Sequence, residues 1–247
     1  GDLFLRGFTA VARYAAKDTV RPVVHSVLVE LGERDTVFVA TDGVRLGTMT
    51  LPIAFVLADG KQATLLLDRD TVATLAAVWA TADKPPVAAP DGSTKLIALA
   101  RRLATLRYDK GEWHFAFGDV ALQGQVVQGE YPAWRSLVPK NPTASVRVLS
   151  EELRQAIRPI GRFGGVVRLG WSGNRLTIGA QADEQEFETQ LPVEQEGVDG
   201  QAAYSFNYLQ DYLAEVSGLV VLQWAELTRP MAITAPRYPS YYLMPVF

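Results

Sequence analysis

Cysteine does not occur in the 247 residues, which excludes a disulfide framework, a thiolate metal site and a cysteine nucleophile. Histidine is almost as scarce. The two present, His25 and His114, have no second histidine or carboxylate at metal-ligand spacing. Each lies in an alternating apolar segment and reads as a hydrogen-bonded structural residue. The sequence has no His-x-x-x-His, no Gly-x-Ser-x-Gly and no Gly-x-x-x-x-Gly-Lys phosphate loop. No catalytic residue, metal site or cofactor is therefore assigned, and the chain reads as a non-enzyme. A DNA-modifying enzyme would need a metal cluster, for which the sequence offers no candidate. The longest apolar run, residues 51–58, is far too short to span a bilayer. Gly1-Asp2 opens no basic-then-apolar export signal, so a cytoplasmic protein is the expectation. Net charge is also nearly absent: 24 Lys and Arg against 27 Asp and Glu give −3. That rules out a basic field over the whole chain, but not a basic face.

What the chain does have is ordinary globular composition, 48% hydrophobic and 21% charged, and room for one large domain or two smaller ones. Apolar spacing predicts a helix over about 5–17, with Leu5, Phe8, Ala12 and Ala15 on one stripe. Strand-like runs follow at 23–31, 36–40, 44–51 and 62–67, separated by turn signals such as Asp42-Gly43. A helix over 70–82 shows Val72, Leu75, Ala76 and Trp79 on one face, and another is predicted over 94–104. Strands at 105–109, 112–117 and 120–127 complete the first half. After a proline-rich connector, 131–142, the order restarts: strand 145–149, a helix from Ser150, and strands at 165–171, 175–180, 184–191 and 202–206. A helix over 207–216 and strands at 219–224, 231–235 and 241–246 close the chain. Both halves thus share one pattern, and two α+β domains with helices covering antiparallel sheets, 1–132 and 133–247, are the economical reading.

The helix from Ser150 carries two stripes. Leu153, Ile157 and Ile160 form the apolar one, and Arg154, Arg158 and Arg162 form the other. Like charges at this spacing repel by a few tenths of a kcal/mol per pair, so a polyanion is an obvious compensating partner, and a merely solvated basic face is the alternative. Pro159 is expected to end or kink this helix. The first helix repeats the arrangement with Arg6, Arg13 and Lys17. Asp70, Asp211 and Glu215 make the other two polar faces neutral or acidic.

Five landmarks then fall in one order and spacing. They are Ala40-Thr41-Asp42-Gly43-Val44-Arg45-Leu46, the segment from Gly129-Glu130-Tyr131-Pro132 to Trp134–Asn141, Phe206-Asn207-Tyr208, the terminal Tyr242-Leu243-Met244-Pro245, and Arg21-Pro22-Val23-Val24. Together they resemble the bacterial sliding clamp, the β subunit of DNA polymerase III, in its second and third domains. The resemblance implies domains whose helices line a central hole, with sheets as the outer wall. It implies a sequence-independent grip on duplex DNA, for which Arg6, Arg13, Lys17, Arg154, Arg158 and Arg162 are the candidates. Six such domains close a ring, so a chain with two of them would require a homotrimer.

The same resemblance implies a groove between the two domains, where polymerase and clamp-loader-type proteins dock short linear peptides. Val24, Thr41, Gly43, Val44, Arg45 and Leu46 fall at its positions in the first half. Pro132, Leu137, Asn207, Tyr242, Leu243, Met244 and Pro245 do so in the second. Tyr208 matches after a two-residue deletion, and Thr228 is placed by strand register. Taken singly, Leu46, Leu137 and Met244 read equally well as core. The sequence departs from the family at Val44, where a histidine is common, at Phe247, where a basic residue is frequent, and in an apparent insertion near 86–104. That basic insertion is expected either to help join chains by meeting an acidic edge at Glu184, Glu186 and Glu188 or to be a plain surface excursion. The competing functional expectation is a clamp-derived peptide-binding module that does not close, acting as a decoy or scaffold.

Overall fold

The computed structural model describes residues 1–55, 63–82, 104–117, 120–163, 165–182 and 185–247. It resolves into two compact units, Gly1–Asp42 with Thr48–Tyr131, and Gly43–Gly47 with Pro132–Phe247. The five residues 43–47 are thus grouped with the half of the chain that follows them much later in sequence. Both units combine helices with antiparallel sheets.

In the first unit, helix α1 spans Asp2–Ala12 and α2 spans Arg69–Ala82. One sheet holds strands β1 (Ser26–Leu31), β2 (Thr36–Thr41), β3 (Arg45–Leu51, of which 48–51 belong to this unit) and β4 (Ala63–Asp68) in the order β3-β2-β1-β4. A second holds β5 (Ala104–Asp109), β6 (Glu112–Phe117) and β7 (Val120–Gln125). The core is aromatic. Phe4 packs on Phe8, Phe38 and Phe115, and Trp79 meets Phe117 edge-on at 4.8 Å. Helix α1 approaches β2 so closely that a Cβ on Gly7 would sit 2.6 Å from the Phe38 ring, so the close approach requires glycine. Asp2 accepts a hydrogen bond from Trp79 Nε1 at 2.9 Å, tying the start of α1 to α2. At the head of α2, Asp68 Oδ1 accepts from the amides of Asp70 and Thr71, satisfying donors that a helix start leaves open.

The second unit contains helices α3 (Ser150–Ile157) and α4 (Phe206–Leu213). Its larger sheet runs β12 (Glu194–Gly197), β8 (Ala144–Leu149), β14 (Leu219–Trp224), β15 (Met231–Thr234), β16 (Ser240–Leu243) in that order. The other runs β11 (Gln185–Pro192), β10 (Arg175–Ala182), β9 (Val166–Ser172), β13 (Gly200–Ser205). Trp171 and Trp224 stack face to face with ring centroids 3.7 Å apart. Each indole N–H is used: Trp171 donates to the Val198 carbonyl and Trp224 to the Tyr204 hydroxyl. Tyr212 of α4 stacks on Tyr241 of β16 at 4.7 Å, fixing the helix on the sheet.

Several elements differ from the sequence reading. The first helix starts at Asp2 and stops at Ala12, leaving Lys17 outside it, because Tyr14, Ala15 and Ala16 bury in a non-helical turn whose Ala16 backbone bonds to Val24. Strand β1 begins at Ser26, since 21–25 form turns, and α4 ends at Leu213 instead of 216. The polar Glu-Gln-Glu-Gly sequence of strand β12 carries no strand signal; pairing with β8 creates it. His25 fits its structural reading, its Nδ1–H donating to the Ala16 carbonyl at 2.8 Å. His114 does not. It is exposed, because the alternation of β6 turns Trp113, Phe115 and Phe117 into the core and His114 away. Most of the expected helix over 94–104, the proposed insertion and Glu184 lie outside the described residues.

Candidate functional site

The basic stripe on α3 forms as its spacing predicts, with one change of geometry. Pro159 has no amide proton to give the Gln155 carbonyl, so the α-helix closes at Ile157 and the chain continues as a 3-10 turn, Arg158–Arg162. Leu153, Ile157 and Ile160 remain fully buried beneath it. Arg154, Arg158 and Arg162 are all exposed, so the apolar row anchors a guanidinium row on the opposite side. Arg6, Arg13 and Lys17 are exposed in the first unit, Arg6 on α1 and the other two just beyond its end. Glu151, in the first turn of α3, accepts from its own amide and from that of Gly218, and these bonds hold its carboxyl below the usual range. It therefore stays ionised at the positive end of the helix dipole.

The groove candidates divide between the units. In the first, Thr41 is buried and Val24 is half-buried, its backbone bonded to Ala16 and Arg21. The remaining thirteen lie in the second. There the Asp42-Gly43 turn, with Gly43 at φ 97°, carries the exposed Val44. The Met244 amide donates to the Val44 carbonyl at 3.0 Å, bringing the turn and the C-terminal strand together. Arg45 is only 6% exposed, and its guanidinium lies over the ring of Tyr208 and donates to Asp211. Tyr208 is itself positioned by its carbonyl, which accepts from the Tyr241 hydroxyl at 3.0 Å.

Leu46, Tyr242 and Leu243 are buried. Met244, Pro245 and Tyr208 are half-buried, and Asn207 is exposed. Leu137 lines a cavity of about 390 Å³, formed by the connector residues 136–141 with Ala225, Glu226 and Arg229. Arg229 donates to the Ser136 carbonyl and fastens the connector there. Pro132 and Thr228 are exposed. In the sequence, Asp211 reads only as part of an acidic helix face. Its place four residues after Asn207 marks the face, but its partner Arg45 is 166 residues away and no local signal connects them.

No family model matches the chain. It is 24% identical over 242 residues to the beta sliding clamp of Synechocystis sp., covering 94% of this chain and 60% of that protein. It is 28% identical over 204 residues to the beta sliding clamp of Escherichia coli K12, covering 80% of this chain and 50% of that one. Among solved structures, the DNA polymerase III β subunit of Thermotoga maritima superposes with a TM-score of 0.85 at 21% identity, over 100% of this chain and 64% of that one. The sliding clamp of Pseudomonas aeruginosa gives 0.81 at 18%, covering 98% and 63%. The chain therefore has the sliding-clamp fold and resembles the bacterial DNA polymerase III β subunit in sequence. It spans between half and just under two thirds of the length of these relatives.

Proposed function

We propose that the chain is a non-enzymatic sliding clamp, a processivity factor of DNA replication that encircles duplex DNA and tethers polymerase through a peptide groove. The observation that carries this reading is the exposed row Arg154, Arg158 and Arg162, held over a fully buried apolar row, in a chain of sliding-clamp fold. Such a row meets phosphates without reading bases, as a protein that must slide requires. A net charge of −3 agrees with it, because only the lining need be basic. Modest basicity is an advantage: binding strong enough to fix the protein would stop its movement, and topology supplies the persistence.

In this reading a ring of six clamp units is assembled from three chains of two units each. The groove uses the Val44 turn, the connector at Leu137 and the segment 242–245, with the Arg45–Tyr208 stack at its side. An apolar groove of few polar groups suits one or two bulky anchors of a linear peptide. The test combines the solution mass with retention on DNA. A three-chain mass and retention on circular but not linear duplex support the ring. A monomer at high concentration points to a peptide-binding module that does not close, and equal retention on both DNAs points to ordinary electrostatic binding.

A further inference from the structure

Among the described residues, three other than glycine hold a positive φ: Lys110 at 47°, Asn174 at 61° and Arg237 at 71°. The first two sit in two-residue hairpin turns, Lys110-Gly111 between β5 and β6 and Gly173-Asn174 between β9 and β10, where both turn positions adopt that conformation. Arg237 has no such setting. The Tyr238 amide donates to the Ala235 carbonyl at 3.3 Å, closing a four-residue turn with Pro236 second and Arg237 third. A positive φ at the third position is the mark of a type II turn, which takes glycine or asparagine there. A long side chain in this conformation is strained, and such strain concentrates where a protein clamps a ligand.

The surface beside the strained turn is apolar. Leu149, the last residue of β8, and Leu219, the first of β14, form a directly opposed cross-strand pair, 44% and 48% exposed. They share the outward face, because Val148 and Val220 next to them point into the core. Val221 pairs with Thr234, so the chain leaving β15 passes Leu219 as it enters the turn, and the Tyr238 hydroxyl lies 3.1 Å from that of Ser217. Arg147, two residues before Leu149, lies on the same face opposite Val221, where Glu194 and Glu196 pair with it. The leucine pair is thus flanked by Arg147 along the strand and by Arg237 across it. Leucines exposed together mark a contact surface, where scattered single ones do not. The flanking charge selects the partner, since a guanidinium fork pairs with a carboxylate. Glu151, at the start of α3, is already engaged by the Gly218 amide. A phosphate backbone would leave both leucines unused. We propose that this end of the sheet docks a segment of a partner protein in which leucines are flanked by carboxylates, its apolar side chains over Leu149 and Leu219 and a carboxylate on Arg237. The proposal is independent of ring closure and of the groove at Val44.

The test uses the full chain and a short fluorescein-labelled peptide with a central leucine pair flanked by aspartates, read by anisotropy. That peptide binds, while counterparts with lysine for aspartate or serine for leucine do not. Leu219→Asp and Arg237→Asn each weaken binding about tenfold. Asparagine tolerates the left-handed turn position, so Arg237→Asn melts no lower than the parent. Undiminished binding to either variant, or equal binding of either counterpart peptide, overturns the proposal. A lower melting point for Arg237→Asn makes the arginine a structural part of the turn, and a changed sedimentation mass for Leu219→Asp makes a second copy the occupant; either result also overturns it. So does a loss of duplex DNA binding in Arg237→Asn, which makes a phosphate backbone the ligand.

Discussion

The guanidinium of Arg45 lies over the ring of Tyr208, 4.4 Å from its centroid, although the two residues are separated by most of the chain. The stack places a nearly inaccessible charge beside the exposed Val44 and joins the early turn to α4. It also ranks the side chains around it.

Arg45→Ala removes the stack and the bond to Asp211 together, and is expected to destabilise the protein by about 2 kcal/mol. Asp211→Ala costs about 1 kcal/mol or less, because the Asp211 side chain is 64% exposed and a solvated partner adds little. Urea unfolding of both variants checks the order. An equal or reversed ranking would assign the stabilisation to the ion pair instead of the ring.

Charge reversal of Arg154, Arg158 and Arg162 to glutamate leaves Leu153, Ile157 and Ile160 in place, so fold and mass persist. Retention on circular DNA falls at least about tenfold, and the salt slope of binding drops by roughly 0.9 for each phosphate that is no longer neutralised. Reversal of the exposed Glu33 and Asp35, in the turn between β1 and β2, serves as the control, with no comparable loss.

Glu151 gives a pH dependence of known sign. Its folded carboxyl titrates below the ordinary value of 4.5, first through its own amide and then through that of Gly218. The folded chain therefore binds fewer protons than the unfolded chain in this range. The contribution is fully present above pH 4.5 and is lost as pH falls through the depressed folded value. Glu151→Gln lacks it at every pH, so the urea midpoints of parent and variant, separate at neutral pH, converge in acid.

The Trp171–Trp224 stack depends on hydrogen bonds at its margins. Tyr204→Phe strands the Trp224 indole N–H in the core and costs about 1–3 kcal/mol despite the loss of only one oxygen. Trp171→Ala removes a fully buried ring and costs about 3–5 kcal/mol. Guanidinium unfolding monitored by tryptophan fluorescence measures both.

Much of the architecture follows from local pattern. The apolar row Leu153, Ile157, Ile160 specifies which side of α3 is buried, because helical spacing is a property of neighbours along the chain. Pro159 specifies where that helix changes form, through the hydrogen bond it cannot make. The landmarks at 40–46, 129–141 and 242–245 are likewise legible as a resemblance. What the sequence could not rank is burial among them. Leu46 and Leu243 are buried while Val44 is exposed, and that depends on which strands pair, not on composition.

The sequence by itself determined the repeated order of elements, the two-striped helix and the lack of a cysteine thiol in these residues, since each depends on residue type and near-neighbour spacing. Tertiary structure alone decided that residues 43–47 join the later half of the chain, that Arg45 meets Tyr208 and Asp211, and that Leu149 and Leu219 stand side by side on an exposed face. These relationships come from strand pairing and helix packing across long sequence separations, where no periodicity carries the information.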